Sequence, residues 1–132
     1  MKIESHLENL KESVREIEDA VKEGLEKKQR SIGFHTSSAA IDILEIILHK
    51  SKLIDPGFVI KHEWLNSKRK IEEKLSFDFQ KKNEIFKHII KIESARNKLC
   101  YGKRQKEKNL EEVVNEFNKL KELFIEVSGY EL

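Results

Sequence analysis

The first part of the chain carries apolar residues every three or four positions, with charged residues between them. This near-heptad spacing is typical of a helix with one buried face and a solvated opposite side. It predicts a helix from about Glu4 to Lys27, with Gly24 as a weak point near its end. The apolar positions on this face are Ile3, Leu7, Leu10, Val14, Ile17, Val21 and Leu25.

The following segment is apolar in almost every helical direction between positions 39 and 48. A helix of this kind is normally buried, so we expect it at the centre of the fold. It should end near Lys50, while Ser31, Thr36 and Ser37 are all plausible N-caps. A strand is the rival prediction for the apolar run, but its length and the upstream alanines favour a helix.

The remaining pattern predicts a turn followed by three more helices. Asp55-Pro56-Gly57 is the clearest turn signal in the chain. The predicted helices run from about Lys61 to Leu75, from Phe79 to Cys100 and from Asn109 to near Gly129. Candidate helix signals are Asp78 as an N-cap, Gly102 as a C-terminal stop, and Asn109 with Glu112 as a capping-box-like pair.

The helix pattern as a whole predicts an all-α fold in a single domain spanning residues 1–132. Short connections between long helices favour an antiparallel up-and-down bundle of four long helices plus one shorter helix. The chain has few glycines and a single proline, which agrees with long helices that are seldom interrupted. Trp64 and Tyr130 are expected to be packing residues.

Charge and composition narrow the possible partners. With 26 basic and 24 acidic residues the net charge is +2, so any nucleic-acid contact must come from a local patch. The single cysteine, Cys100, excludes an internal disulfide and is expected to be a small core residue. No uninterrupted apolar run approaches the ~20 residues of a membrane span, and the N-terminus lacks a signal-peptide pattern. We therefore expect a cytoplasmic protein with no membrane association.

The most informative stretch is Arg96-Asn97-Lys98-Leu99-Cys100-Tyr101-Gly102, at the end of the fourth helix. Helical geometry places Glu93 and Asn97 near the direction of the apolar side chains, and buried polar groups need partners. One interpretation is structural, with an internal Glu93–Arg96 pair and a hydrogen bond from Asn97 fixing the helix packing.

The same stretch resembles the signature of the HEPN superfamily, small all-helical domains of prokaryotic toxin–antitoxin and RNA-processing systems. The matching residues are Arg96, Asn97 and Gly102, but Tyr101 stands where the family motif has histidine. The resemblance implies a homodimer that brings two motifs together in a cleft, where RNA or nucleotide is bound or cut. Tyrosine is a poor base near neutral pH, although it can hydrogen-bond or stack on a nucleobase. Arg96 could still hold a phosphate.

A basic cluster adjoins the motif, and we expect it to attract phosphate or to be a solvated loop. Its residues are Lys98, Lys103, Arg104, Lys106 and Lys108.

The second helix carries a polar stripe that has three possible roles. It is an exposed edge, a metal site, or a part of the dimer cleft. In the last case His35 would be the best replacement for the missing motif histidine. The stripe consists of His35, Ser38, Asp42, Glu45 and His49. His62 and His88 are expected at surface or cap positions.

These features predict a HEPN-like homodimer that binds RNA or nucleotide through Arg96, Asn97, Tyr101, Lys103 and Arg104, with a degraded or atypical ribonuclease motif. The candidate catalytic residues are Arg96, Tyr101 and His35. No glycine-rich phosphate loop, Cys-x-x-Cys pair or nucleophile elbow occurs, so no cofactor or metal is expected. The alternative is a non-catalytic interaction module, such as the helical partner of a nucleotidyltransferase subunit.

Overall fold

All regular structure in the chain is helical, as a computed structural model describing residues 1–132 shows. Two 3₁₀ turns, Leu25–Lys28 and His62–Leu65, lie between α-helices. The α-helices are α1 (Ile3–Glu23), α2 (Gln29–Lys50), α3 (Lys68–Lys74), α4 (Lys82–Tyr101) and α5 (Glu107–Ser128). The predicted all-α fold of four long helices and one shorter helix is confirmed.

Paired side chains establish the helix directions. On α1 and α2, His6 meets Asp42 while Ser13 meets His35, so the two helices run antiparallel. The α2 and α5 helices run parallel, because Gln29 bonds the backbone of Gln105 near the start of both. Near their other ends, Lys50 donates to the carbonyl of Ser128.

The α4 helix runs antiparallel to both α2 and α5. Ser37 of α2 bonds Glu93, whereas Gly33, one turn earlier, lies against Leu99. A Cβ at position 33 would lie 2.7 Å from the Leu99 Cβ, so glycine permits the close approach of these two helices. The four long helices therefore alternate up and down around the core.

The α2 helix is the centre of the bundle, as predicted, and it packs against α1, α4 and α5. A single core of 28 buried apolar residues draws on every helix. By length and composition alone, the segment Leu25–Lys50 could cross a membrane, but 72% of its apolar window is buried inside the bundle. Both core helices and signal sequences can have such a composition, and here the burial results from packing against three helices.

Several predicted boundaries are wrong, mostly at helix starts. The first helix ends at Glu23, because Gly24 adopts φ +113° and interrupts it. The α2 helix begins at Gln29, so the three N-cap candidates lie inside it. Thr36 is buried there and donates to the Ile32 carbonyl over 2.7 Å.

Later boundaries also shift. The third predicted helix divides into a 3₁₀ turn and the short α3, whose N-cap is Ser67. Asp78 caps nothing, since α4 begins after Lys81. The α5 helix begins at Glu107, so Asn109 forms no capping box. The predicted turn is confirmed by the Asp55 side chain, which accepts from the Gly57 amide over 2.8 Å.

The predicted helix ends near Gly102 and Gly129 are confirmed. The two aromatic residues expected to pack also do so, since Trp64 lies 6.1 Å from the Phe58 ring and Tyr130 stacks on Phe124.

Candidate functional site

A polar cleft of about 360 Å³ lies between α4 and the 3₁₀ turn that precedes α3. Arg96 and Asn97 of the predicted motif line it together with Lys61. Arg96 is half-buried and Asn97 is exposed. The Arg96 side chain makes no ion pair within the chain. Other residues of the lining are His62, Glu63, Asn66 and Glu93. The cleft therefore presents two cationic side chains without apolar neighbours.

A buried carboxylate holds a histidine at this cleft. Glu93 is 5% exposed, and its Oε1 accepts from the Ser37 hydroxyl over 2.5 Å. The His62 Nδ1 lies 3.0 Å from the same oxygen and 3.2 Å from Oε2. A ring whose Nδ1 faces a carboxylate keeps Nε2 available for other partners, an arrangement that is common among acid–base histidines.

This geometry overturns one expectation. The internal Glu93–Arg96 pair is wrong, because Glu93 pairs with His62 and Ser37 instead. His62 lies at the surface as expected, with a side chain that is 38% exposed, but it is also bonded to a buried acid. Because Glu93 has these partners, Arg96 stays free for an external anion.

The remaining motif residues lie outside the cleft. Tyr101 is 74% exposed at the end of α4, and Lys103 and Arg104 are exposed in the linker to α5. The buried Gln29 fixes this linker, since its Nε2 donates to the Lys103 carbonyl over 3.0 Å. Its Oε1 also accepts from the Gln105 amide over 2.6 Å. The basic side chains are thus presented from a backbone held in place.

The polar stripe of α2 is not an exposed edge, because α1 covers much of it. The imidazole of His6 is 3% exposed and lies between two carboxylates. Its Nδ1 is 2.7 Å from Asp42 Oδ1, and its Nε2 is 2.7 Å from Glu45 Oε2. Both acids are less than 10% exposed. This buried His6–Asp42–Glu45 cluster ties α1 to α2.

Burial and hydrogen bonding act in opposite directions on this cluster. Burial lowers the pKa of His6, but its bonds to the two carboxylates outweigh burial and raise the pKa from 6.5 to about 9. Burial acts to raise the pKa of Glu45. The hydrogen bonds from His6 and the Ile60 amide lower it by more than burial raises it, so the net shift is downward. The pKa of Asp42 is raised because burial outweighs its bond to His6. A protonated His6 opposite an ionised Glu45 is therefore the favoured state at neutral pH.

The other histidines of the stripe have separate positions. His35 bonds Ser13 over 3.2 Å and lines a second cavity, so the expectation that it joins Arg96 is not met. Burial lowers the pKa of His35. His49 lies beyond the cluster, with its ring 5.9 Å from that of His6, and burial followed by repulsion from His6 lowers its pKa.

The stripe is arranged for ion pairing rather than for metal ligation. The ring nitrogens of His6 contact the carboxylate oxygens directly, which leaves no space for an ion between them. No group of three or more His, Cys, Asp or Glu side chains is arranged to hold a metal. Cys100 is buried as expected, and burial raises the pKa of its thiol.

The apolar pattern of the sequence did not indicate the importance of His6 in the buried cluster or of His62 in the cleft. His6 belongs to a second row of α1, with Ser13 and Ala20, that is buried although Val21 on the predicted row is 51% exposed. The seven-residue spacing of this second row was the available signal. His62 has no comparable signal, because its contact with Glu93 joins a loop to a helix 31 residues away.

No protein-family model, curated protein or solved structure matches this chain.

Proposed function

We propose that this protein is a HEPN-like cytoplasmic domain that binds the phosphates of RNA or nucleotides in the cleft of Arg96, acting as a homodimer. The observation that carries this proposal is the pair of cationic side chains, Arg96 and Lys61, which form no salt bridge in a cleft without apolar lining, although Glu63 and Glu93 also line it. An arginine fork bonds two phosphate oxygens at once. Asn97 adds an amide donor beside it.

The linker after α4 supports the same function. Lys103 and Arg104 are exposed and follow the motif directly in the sequence. Because Gln29 bonds the linker backbone on both sides, this backbone requires little ordering when an anion binds to the side chains. A polynucleotide could therefore extend from the cleft along the linker.

Binding is tested with a fluorescently labelled single-stranded RNA and anisotropy at several salt concentrations. Loss of one charge-assisted contact in Arg96→Ala should weaken binding about 10- to 100-fold, and the salt slope should fall by about 0.7. Arg15→Ala removes an exposed arginine on α1 and is the matched control. Equal binding by the Arg96→Ala and wild-type proteins, or binding insensitive to salt, would contradict the proposal and favour the interaction module.

A second candidate function, RNA cleavage without a metal, is favoured by the contact between His62 and Glu93. In this reaction His62 Nε2 accepts the proton of a ribose 2′-hydroxyl while O2′ attacks the neighbouring phosphorus. The bond from phosphorus to the 5′ oxygen breaks, and that oxygen takes a proton from water. Glu93 orients the ring, and Arg96 stabilises the charge that develops on the phosphate.

Cleavage is tested by incubating RNA with the protein in the presence of a chelator. The products should carry 2′,3′-cyclic phosphate and 5′-hydroxyl ends, and an all-deoxy oligonucleotide should remain intact. His62→Gln should slow the reaction about 100- to 10,000-fold, with RNA affinity retained. Tyr101→Phe, which removes a hydroxyl outside the cleft, should have no effect. Intact RNA with the wild-type protein would eliminate cleavage but leave the binding proposal unaffected.

A further inference from the structure

A second cavity of about 400 Å³ lies next to the phosphate cleft, between α1, α2 and the loop before α3. His62 lines both cavities, so its side chain lies between them. Each volume is within the range of small-molecule sites. The two cavities are therefore neighbours with chemically different linings.

The outer wall of the second cavity is apolar and open to solvent. Phe34 is 51% exposed and Val59 is 66% exposed, and the half-buried Ile41 lies nearby in the same lining. The ring of His35 meets Phe34 edge-on, with centroids 5.0 Å apart, and so favours one orientation of the phenyl ring. An oriented, exposed aromatic face is suited to stacking with a planar ring.

The inner wall supplies groups that can bond the edge of such a ring. The hydroxyl of Ser38 makes no hydrogen bond within the chain, and it is half-buried in the lining. His35 uses Nδ1 for Ser13, which leaves Nε2 for another partner. Neutral donors and acceptors of this kind match the polar edge of a nucleobase.

The charged residues that line the two cavities differ. Asp42, Glu45 and Glu12 all line the second cavity, where His6 balances one of the buried carboxylates. The first cleft holds Arg96 and Lys61 together with Glu63 and Glu93, and Glu93 is already bonded to His62 and Ser37. A phosphate is therefore better accommodated beside the Arg96 guanidinium than in the second cavity, where an uncharged base is little affected by the carboxylates.

We infer that the second cavity is a nucleobase subsite, in which a nucleotide held through its phosphate at Arg96 stacks its base on Phe34 and bonds His35 and Ser38. This inference rests on the proposed phosphate binding and adds the place where the base of the nucleotide is held. It also assigns specificity to α2, since the residues that contact the base are on that helix.

The experiment compares the four nucleoside 5′-monophosphates with ribose 5-phosphate by calorimetric titration. Ribose 5-phosphate has the same sugar and phosphate but no base. Stacking should make at least one nucleotide bind about 5- to 150-fold more tightly than ribose 5-phosphate. Phe34→Ala should remove this difference without changing the affinity for ribose 5-phosphate. Phe34→Leu, which keeps apolar volume but has no aromatic face, should also reduce it.

Val21→Ala is the matched control, because Val21 is also 51% exposed but lies on α1 outside the cavity. Circular dichroism checks that every variant is folded. Equal affinity of all nucleotides and ribose 5-phosphate for the wild-type protein would overturn the base subsite and leave phosphate binding intact. Undiminished nucleotide preference in folded Phe34→Ala would also overturn it. Failure of all five compounds to bind would refute the phosphate cleft itself, and the subsite with it.

Discussion

Replacement of His6 by leucine should strongly destabilise the fold. This substitution keeps an apolar volume in the cluster but leaves the buried carboxylates of Asp42 and Glu45 without a cation. Breaking a buried ion pair from one side costs about 3–5 kcal/mol, because the remaining charge is uncompensated. That is a large share of the ~5–15 kcal/mol that stabilises a domain. Urea unfolding near neutral pH measures the loss.

The pH dependence of stability gives a second value for the contribution of His6 to the free energy of unfolding. The pKa of His6 rises from 6.5 to about 9 on folding, and a tenfold change in proton affinity is about 1.4 kcal/mol. The shift therefore contributes about 3 kcal/mol to stability. Because the folded pKa is the higher one, this contribution is complete below pH 6.5 and is lost as pH rises through 9.

The assay is the free energy of unfolding of wild type and His6→Leu at intervals from pH 6 to pH 10. The difference between the two proteins should shrink by about 3 kcal/mol across this interval. His88→Gln is the control, because it removes a contact with Glu116 on other helices and leaves the His6 cluster intact. A constant difference at all pH values, or a loss below 1 kcal/mol near neutrality, would refute the assigned ion pair.

Three further outcomes follow from the packing and the proposed assembly. Gly33→Ala should cost about 1–3 kcal/mol in urea unfolding, because the added Cβ meets Leu99 at 2.7 Å, and an unchanged midpoint would contradict the close helix contact. Gln29→Leu should speed amide hydrogen exchange at Gln105 by removing its acceptor, whereas unchanged exchange would show that the linker is held by other contacts. Light scattering should give twice the chain mass of 15.6 kDa, and a strict monomer would exclude the proposed homodimer.

The helices and the buried α2 could be predicted because periodicity depends on which side chains face the core. Helix starts were less predictable, since several begin without a capping side chain. The α2 and α5 helices follow Lys28 and Lys106, neither of which makes a side-chain cap bond. Their starts are stabilised by tertiary contacts, such as that of Gln29 with Gln105.

The candidate site was predictable to the extent that it lies on one helix. Arg96 and Asn97 follow from a short motif, and both line the cleft. The residue that completes it, His62, comes from a segment whose path depends on loop packing. Tyr101 and His35 were chosen from proximity in sequence and from helix direction, and neither lines the cleft. The local sequence pattern therefore located Arg96 and Asn97 in the cleft but not His62.

The Glu45 carboxylate has two neighbours with different roles. One oxygen faces His6, and the other accepts from the Ile60 amide over 3.0 Å, two residues before His62. The segment that carries His62 is consequently anchored to the interface between α1 and α2, and we expect the two to unfold as one cooperative unit. Slow hydrogen exchange at the Ile60 amide would be the sign of this unit. A substitution that destabilises α1 would then also disturb the position of His62 in the cleft, although it alters none of the residues that line the cleft.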